Sequence, residues 1–248
     1  LQSIEHDVEH AVFSFIPNTA ETAFLGLVGE TQRQVRTHRA EQFWATVESG
    51  SPDKDAFHHM NAVQVRAEKI AHKDQRLRTF ITHDAARRDL VMHIYDITRD
   101  VVREGDTLVV LDDSIVRGTT LRESIITILS RLNPKKIIIV SSAPPIQYPD
   151  CYGIDMSHLH RFIAFQAAIE LLKDEGRLDL LDAVEHDCRQ QADADPAEMV
   201  NHVKRIYEPF SLNTLSAKIA ELIRPTDVAW DGELEVIYQD VDGLRAAM

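Results

Sequence analysis

An apolar run that stops on two adjacent carboxylates and then opens a helix constrains this chain more than any other feature. Val109-Val110-Leu111 leads into Asp112-Asp113, and Ser114-Ile115-Val116-Arg117-Gly118-Thr119-Thr120 follows as a short loop rich in hydroxyls. Leu121, Ile125, Ile128, Leu129 and Leu132 then fall on one face at helical spacing, so the segment reads strand, loop, helix. Such a unit aims backbone N–H groups and the positive end of a helix dipole at whatever sits over the loop, which favours a phosphate. Paired aspartates at the strand end suit sugar hydroxyls or a hydrated Mg2+, because hard cations take carboxylate oxygens. The plainer alternative is an acidic strand end followed by an ordinary helix capped by Ser114 or Thr119.

The rest of the first two-thirds repeats the alternation. Ala11 to Ile16 reads as a strand, Pro17-Asn18-Thr19-Ala20-Glu21-Thr22 as a loop, and a helix is expected from Ala23. Lys136 to Val140 reads as a buried parallel strand, ended by the prolines of Ser141-Ser142-Ala143-Pro144-Pro145-Ile146-Gln147-Tyr148-Pro149. Strands alternating with helices from Ala11 to about Phe165 predict an α/β fold, a twisted and mainly parallel sheet flanked by helices. Loops at the carboxyl ends of such strands are where open sheets bind ligands. Between about 30 and 62 lies a polar, helical insertion holding the turn-rich Glu48-Ser49-Gly50-Ser51-Pro52-Asp53. Residues 1–175 are expected to form the core. Residues 176–248 are expected to be a mostly helical C-terminal extension packed on it, with an N-cap at Asp195 before Pro196, a helix from about Asn213 to Arg224 and a short strand within Trp230 to Asp240.

Composition narrows the function classes. The 248 residues are 44% apolar and 27% charged, enough to bury a full core. No stretch approaches the roughly 20 apolar residues of a membrane span, and no signal peptide is visible at the start, so a cytoplasmic protein without a membrane partner is expected. A net charge of −13 argues against a nucleic-acid partner, whose binding needs basic patches. The two cysteines, Cys151 and Cys188, suit a reducing compartment as free thiols and are too few for an iron–sulfur cluster. Among the twelve histidines, neither His58-His59 nor His158/His160 has the spacing of a zinc site.

The run from Asp112 to Thr120 closely resembles the phosphoribosyl-pyrophosphate (PRPP) loop of type I phosphoribosyltransferases, in the wording of the glutamine PRPP amidotransferases. Three further matches fall in register with it. Ser141 to Pro149 with Tyr152-Gly153-Ile154-Asp155-Met156 is similar to a run of the same enzymes. Pro17 to Thr22 resembles the family's pyrophosphate loop, with the departure that Ala20 stands where a serine is common. Arg78-Thr79-Phe80-Ile81 resembles the end of the family's mobile basic segment, although Gln75-Arg76-Leu77 replaces the usual Tyr-Val-Gly. The resemblance covers about Val12 to Asp155 and implies the type I phosphoribosyltransferase fold.

By this resemblance Asp112 and Asp113 contact the ribose hydroxyls and Mg2+. Ser114, Ile115, Val116, Arg117, Gly118, Thr119 and Thr120 wrap the 5′-phosphate, and Thr19 serves the pyrophosphate. Lys69 or Lys73 supplies the pyrophosphate lysine, with Arg78 closing the same segment; Arg88 is a further candidate for the phosphates. The implied activity is that of a glycosyltransferase (a pentosyltransferase) that displaces pyrophosphate from PRPP with ammonia, giving 5-phosphoribosylamine in purine synthesis. The family's ammonia comes from a glutaminase domain that begins with a cysteine. The chain begins at Leu1 with no such domain in view, so a glutaminase domain or subunit is the expected partner, and a homo-oligomer is expected. Two other readings are weighed: a PRPP-binding regulator, and a nucleobase phosphoribosyltransferase, whose loop commonly reads Ala-Thr-Gly where this chain has Val116-Arg117-Gly118.

Overall fold

The computed structural model describes residues 1–17, 19–50, 54–62, 64–73, 95–98, 101–119, 121–150, 156–195 and 197–247. Its centre is a five-stranded sheet built from β1 (Ala11–Phe15), β2 (Arg66–Ala67), β5 (Thr107–Asp112), β6 (Lys136–Ser141) and β7 (Glu233–Tyr238). Their spatial order is β2-β1-β5-β6-β7 and every pairing is parallel. The α/β class and the parallel sheet expected from the sequence are therefore present. Two short strands, β3 (Ala71–Lys73) and β4 (Tyr95–Ile97), pair antiparallel in a separate ribbon.

Period-two alternation sorts the strand residues between two cores, which is why the strands read as nearly unbroken apolar runs. Leu108 and Val110 of β5 face one side together with Ile137 and Ile139 of β6. Val109 and Leu111 face the other side with Phe13, Phe15 and Ile138. The second side is covered by α1 (Glu21–Glu48), through Phe24 and Val35, and by the N-terminal Ile4 and Val8. The first is covered by the helical run 121–132 (α3), α4 (Ile163–Asp174) and α7 (Leu212–Ile223). The run α3 opens as a π-helix (Leu121–Ile126) and closes through an α turn and a 3-10 turn.

One of the expectations for these segments needs correction, and two are met. The polar, helical stretch expected over about 30–62 is formed by α1, which continues unbroken for 28 residues to Glu48, and by α2 (Lys54–Ala62), which returns against it. Helix continuation wins because no Pro or capping signal interrupts 30–48, and Phe43 packs its ring on Phe57 of α2 at 5.4 Å. The helix expected from Asp195 does not form. Asp195 Oδ1 does accept the Ala197 N–H at 2.9 Å, but only a turn follows, and the next helix, α6, begins at Lys204 after α5 (Asp179–Gln190). The short strand expected near Trp230–Asp240 is β7, which pairs with β6 along its whole length, from Lys136↔Glu233 to Ser141↔Tyr238.

The segment after 175 thus both covers the core and contributes to it. Ser211 caps α7 by accepting the Thr214 N–H at 3.1 Å, and α7 buries Leu215, Ile219 and Ile223. Trp230 donates its indole N–H to the Pro134 carbonyl at 2.8 Å and carries the Arg224 guanidinium 5.0 Å from its ring, fixing the entry to β7. At the amino-terminal end of the sheet the fully buried Asp106 pairs with Arg66 of β2 at 2.9 Å and accepts the Arg103 N–H at 2.7 Å.

Candidate active site

Numbered within the sheet alone, the strand order is 2-1-3-4-5, the order of a doubly wound fold. Its topological switch point lies between β1 and β5, whose following loops leave to opposite faces. The carboxyl ends of these two strands carry the two loops singled out in the sequence. Phe15 pairs with Leu111, and the Ile16 N–H reaches the Leu111 carbonyl at 2.8 Å. This register brings Thr19 to Asp113, where the threonine hydroxyl donates to Asp113 Oδ2.

The acidic turn is held by its own backbone. The Asp113 N–H donates to Asp112 Oδ1 at 2.9 Å, and the Ser114 N–H to Asp113 Oδ1 at 2.8 Å. Burial, and then the Asp113 charge beside it, push the Asp112 carboxyl up to about 7. Tyr238 lies in the same row across the sheet, since Asp112 pairs with Ser141 and Ser141 with Tyr238. Its hydroxyl is buried and has no hydrogen-bond partner among the described residues. Burial, with the Asp112 charge second, pushes its pKa above the ordinary tyrosine value.

The loop beyond the turn is anchored from below. Ile115 is buried in the core, so its side chain holds the loop down and its peptide is what a ligand would meet. The Val116 carbonyl accepts the Ile163 N–H at 2.8 Å from the start of α4. Gly118 has φ +70°, and a Cβ there would lie 2.8 Å from Ile223 and 3.1 Å from Ile163, so only glycine fits. Its carbonyl accepts the Arg122 N–H at 2.9 Å, starting α3. Arg117 is half-buried and Thr119 exposed.

The remaining candidates are distributed unevenly. Lys69 follows β2 at the same edge of the sheet, with its ammonium 5.6 Å from the Phe15 ring centroid, and is exposed. Lys73 ends β3 and pairs with Tyr95 through the backbone. Arg78, Arg88, Thr120, Asn18, Cys151 and the run 152–155 lie outside the described residues. Ala20, the departure from the family pattern, is buried among Phe15 and Phe24 and ends the loop without a side-chain cap, so the position serves packing. Ser142 carried no role in the sequence reading, yet it meets both aspartates: its N–H reaches the Asp112 carbonyl at 3.0 Å and its hydroxyl the Asp113 carbonyl at 3.1 Å. No local signal announces that contact, because it joins residues 29 apart.

Among the described residues no three His, Cys, Asp or Glu side chains converge on a metal site. The donors present nevertheless suit Mg2+, which is bound by one or two carboxylates together with substrate phosphates and waters. Two adjacent carboxylates, one with its ionised form disfavoured by burial and by its neighbour, are the group a hard cation would relieve. No helix among the described residues is long and apolar enough to cross a membrane.

No protein-family model matches the chain. It is 39% identical over 105 residues to the amidophosphoribosyltransferase of Bacillus subtilis, covering 42% of this chain and 22% of that protein. The amidophosphoribosyltransferase of Escherichia coli is 37% identical over 117 residues, 43% of this chain and 23% of its own length. That of Pyrococcus horikoshii is 39% identical over 80 residues, 32% and 18%. The chain thus spans about a fifth of the length of these relatives. A solved glutamine PRPP amidotransferase from B. subtilis, complexed with ADP and GMP, aligns with TM-score 0.38 and 25% identity over 67% of this chain and 30% of that one. The fold assignment rests on the sheet order and pairing themselves.

Proposed function

We propose that this chain, a relative of the amidophosphoribosyltransferases over part of its length, is a PRPP-dependent phosphoribosyltransferase module that uses ammonia as its nucleophile. The observation that carries the reading is the meeting of Thr19 with the Asp112–Asp113 turn at the switch point of the sheet, above a loop pinned to α4 and α7. A sugar phosphate fits this arrangement from end to end. Backbone N–H groups from 115 to 119 at the start of α3 take the 5′-phosphate, and Asp112 and Asp113 accept the ribose hydroxyls. Thr19 serves the pyrophosphate.

The reaction forms a bond from nitrogen to C1 of the ribose and breaks the bond from C1 to the pyrophosphate oxygen; the ammonia nitrogen then gives up a proton to solvent. Positive charge gathers on the sugar ring and negative charge on the leaving group. Asp112 and Asp113 hold the ring in line and sit on the side of the developing positive charge. Lys69 or Lys73 neutralises the departing pyrophosphate, with Arg78. Asp112 and Asp113 are the residues that would hold Mg2+, which would supply Lewis-acid stabilisation of the leaving group. No covalent nucleophile is required. In a longer protein or complex, a glutaminase unit supplies the ammonia; the reading also carries the cytoplasmic setting and the step to 5-phosphoribosylamine in purine synthesis.

The test is pyrophosphate release from PRPP and Mg2+ with ammonium at alkaline pH, glutamine, or nucleobases as acceptor. Release with ammonium alone, reduced by about 100-fold or more in Asp113→Asn, is the expected result. Release that depends on a nucleobase would make the chain a nucleobase phosphoribosyltransferase. PRPP binding with no release under any acceptor would make it a PRPP-binding regulator.

A further inference from the structure

The turn Asp112–Asp113 spends both of its forward N–H groups on its own carboxylates, so what fixes its peptide planes has to come from its carbonyls. Both carbonyls go to one residue. Ser142, just beyond the end of β6, extends the β5–β6 ladder by one more bond, from its N–H to the Asp112 carbonyl at 3.0 Å. Its hydroxyl then reaches past the ladder to the Asp113 carbonyl at 3.1 Å. The second bond is the informative one. At Asp113 the strand has ended and, among the described residues, no backbone donor reaches its carbonyl, so the peptide between Asp113 and Ser114 is held by a side chain. Rotation of that peptide would swing the Ser114 N–H off Asp113 Oδ1, and with it the carboxylate that Thr19 also holds.

We infer that Ser142 is a positioning residue: its hydroxyl fixes the Asp113–Ser114 peptide, and so sets the aim of the Asp113 carboxylate and the first N–H groups of the phosphate loop. The consequence for ligand binding rests on the phosphoribosyltransferase reading, whereas the geometric role stands without it. The neighbouring Ser141 supplies the contrast. It is buried and its hydroxyl donates at 2.8 Å to the Ala143 carbonyl within its own loop, a bond of the same kind that touches neither aspartate.

The experiment compares Ser142→Ala, Ser142→Thr and Ser141→Ala in the full chain, by two readouts. The first is amide hydrogen exchange across residues 113–119 in the free protein; the second is PRPP–Mg2+ affinity by calorimetry. Ser142→Ala is expected to speed exchange in 113–119 and to weaken PRPP by roughly 5- to 30-fold, the range for losing one partly buried hydrogen bond. Ser142→Thr, which keeps the hydroxyl, is expected to restore both more fully than Ala. Ser141→Ala is expected to lower the melting temperature without changing exchange at 113–119. Unchanged exchange in Ser142→Ala, or the same exchange pattern in Ser142→Ala and Ser141→Ala, overturns the inference. Faster exchange in Ser142→Ala, in a protein whose wild type does not bind PRPP, upholds the positioning role and instead removes the functional reading.

Discussion

The acidic turn should cost this fold stability at neutral and alkaline pH, and Asp112→Asn measures how much. Asp112 titrates near 7 in the folded chain because burial and the Asp113 charge oppose its ionisation. An unfolded chain gives the ordinary carboxyl value near 4. Between those two values the native state binds the extra proton, so stability falls as pH rises through the window from about 4 to 7 and stays low above it. A separation of about three pH units, at 1.36 kcal/mol each, sets a ceiling of about 4 kcal/mol on the penalty at alkaline pH. Partial contact with water and the Asp113 N–H bond, which an amide oxygen also accepts, reduce the expected gain to about 2 kcal/mol, or roughly 4–8 °C in melting temperature for a chain of this size. The assay is chemical and thermal denaturation of wild type and Asp112→Asn at pH 5 and pH 8.5 in metal-free buffer. The variant should be more stable than wild type at pH 8.5, with most of that advantage gone at pH 5, where Asp112 is largely protonated. Asp113→Asn should recover a smaller part of the gain by removing the adjacent charge. An Asp112→Asn variant that is destabilised by the same amount at both pH values would refute the argument, since its cost would then be a lost contact and not a lost charge.

Gly118→Ala forces a side chain into left-handed backbone and against Ile223 and Ile163. It should cost about 2–4 kcal/mol in urea denaturation and weaken PRPP more than any single change at Thr119. Arg66→Ala leaves the buried Asp106 carboxylate without its cation and should cost about 3 kcal/mol, with no change in PRPP affinity once the protein is folded. Truncation after residue 175 removes β7 and α7, exposing β6 and the Ile163 side of the loop; the product should fail the cooperative-unfolding test by circular dichroism.

The parts of the site readable in the sequence are those in which consecutive residues do the work. Asp112 to Thr120 announce themselves because strand, turn and loop follow one another, and the strand's alternation sets the face on which Asp112 stands. Where the chain relies on register between distant segments, sequence falls silent. Ser142 reads only as part of a proline-rich turn, and its hold on both aspartates follows from the pairing of Asp112 with Ser141. Tyr238 reads as the end of a short strand, and only the β6–β7 register carries it into the row of Asp112. The length of α1 was hidden for another reason. Its exposed face carries apolar Leu25 and Trp44 among polar residues and it buries only Phe24, Thr31 and Val35, so apolar periodicity, the usual signal, is weak beyond its second turn.

Register also explains why the two loops can act as one site. Phe15 opposite Leu111 puts the first residue after β1 beside the last residues of β5, so Thr19 and Asp113 meet without any helix having to be placed accurately. A slip of one residue between β1 and β5 would turn Phe13 and Phe15 out of the core they share with Val109 and Leu111, and the burial of those rings opposes it. On the other flank the same logic applies to β6, where Asp112 opposite Ser141 brings Ser142 under the turn. The acidic turn is therefore located by strand pairing on both sides, and its two carboxylates can be held partly buried at a cost in stability. That cost is the reason to expect a cation or a sugar there: a charged pair confined in this way gains more from a ligand than one free to turn toward water.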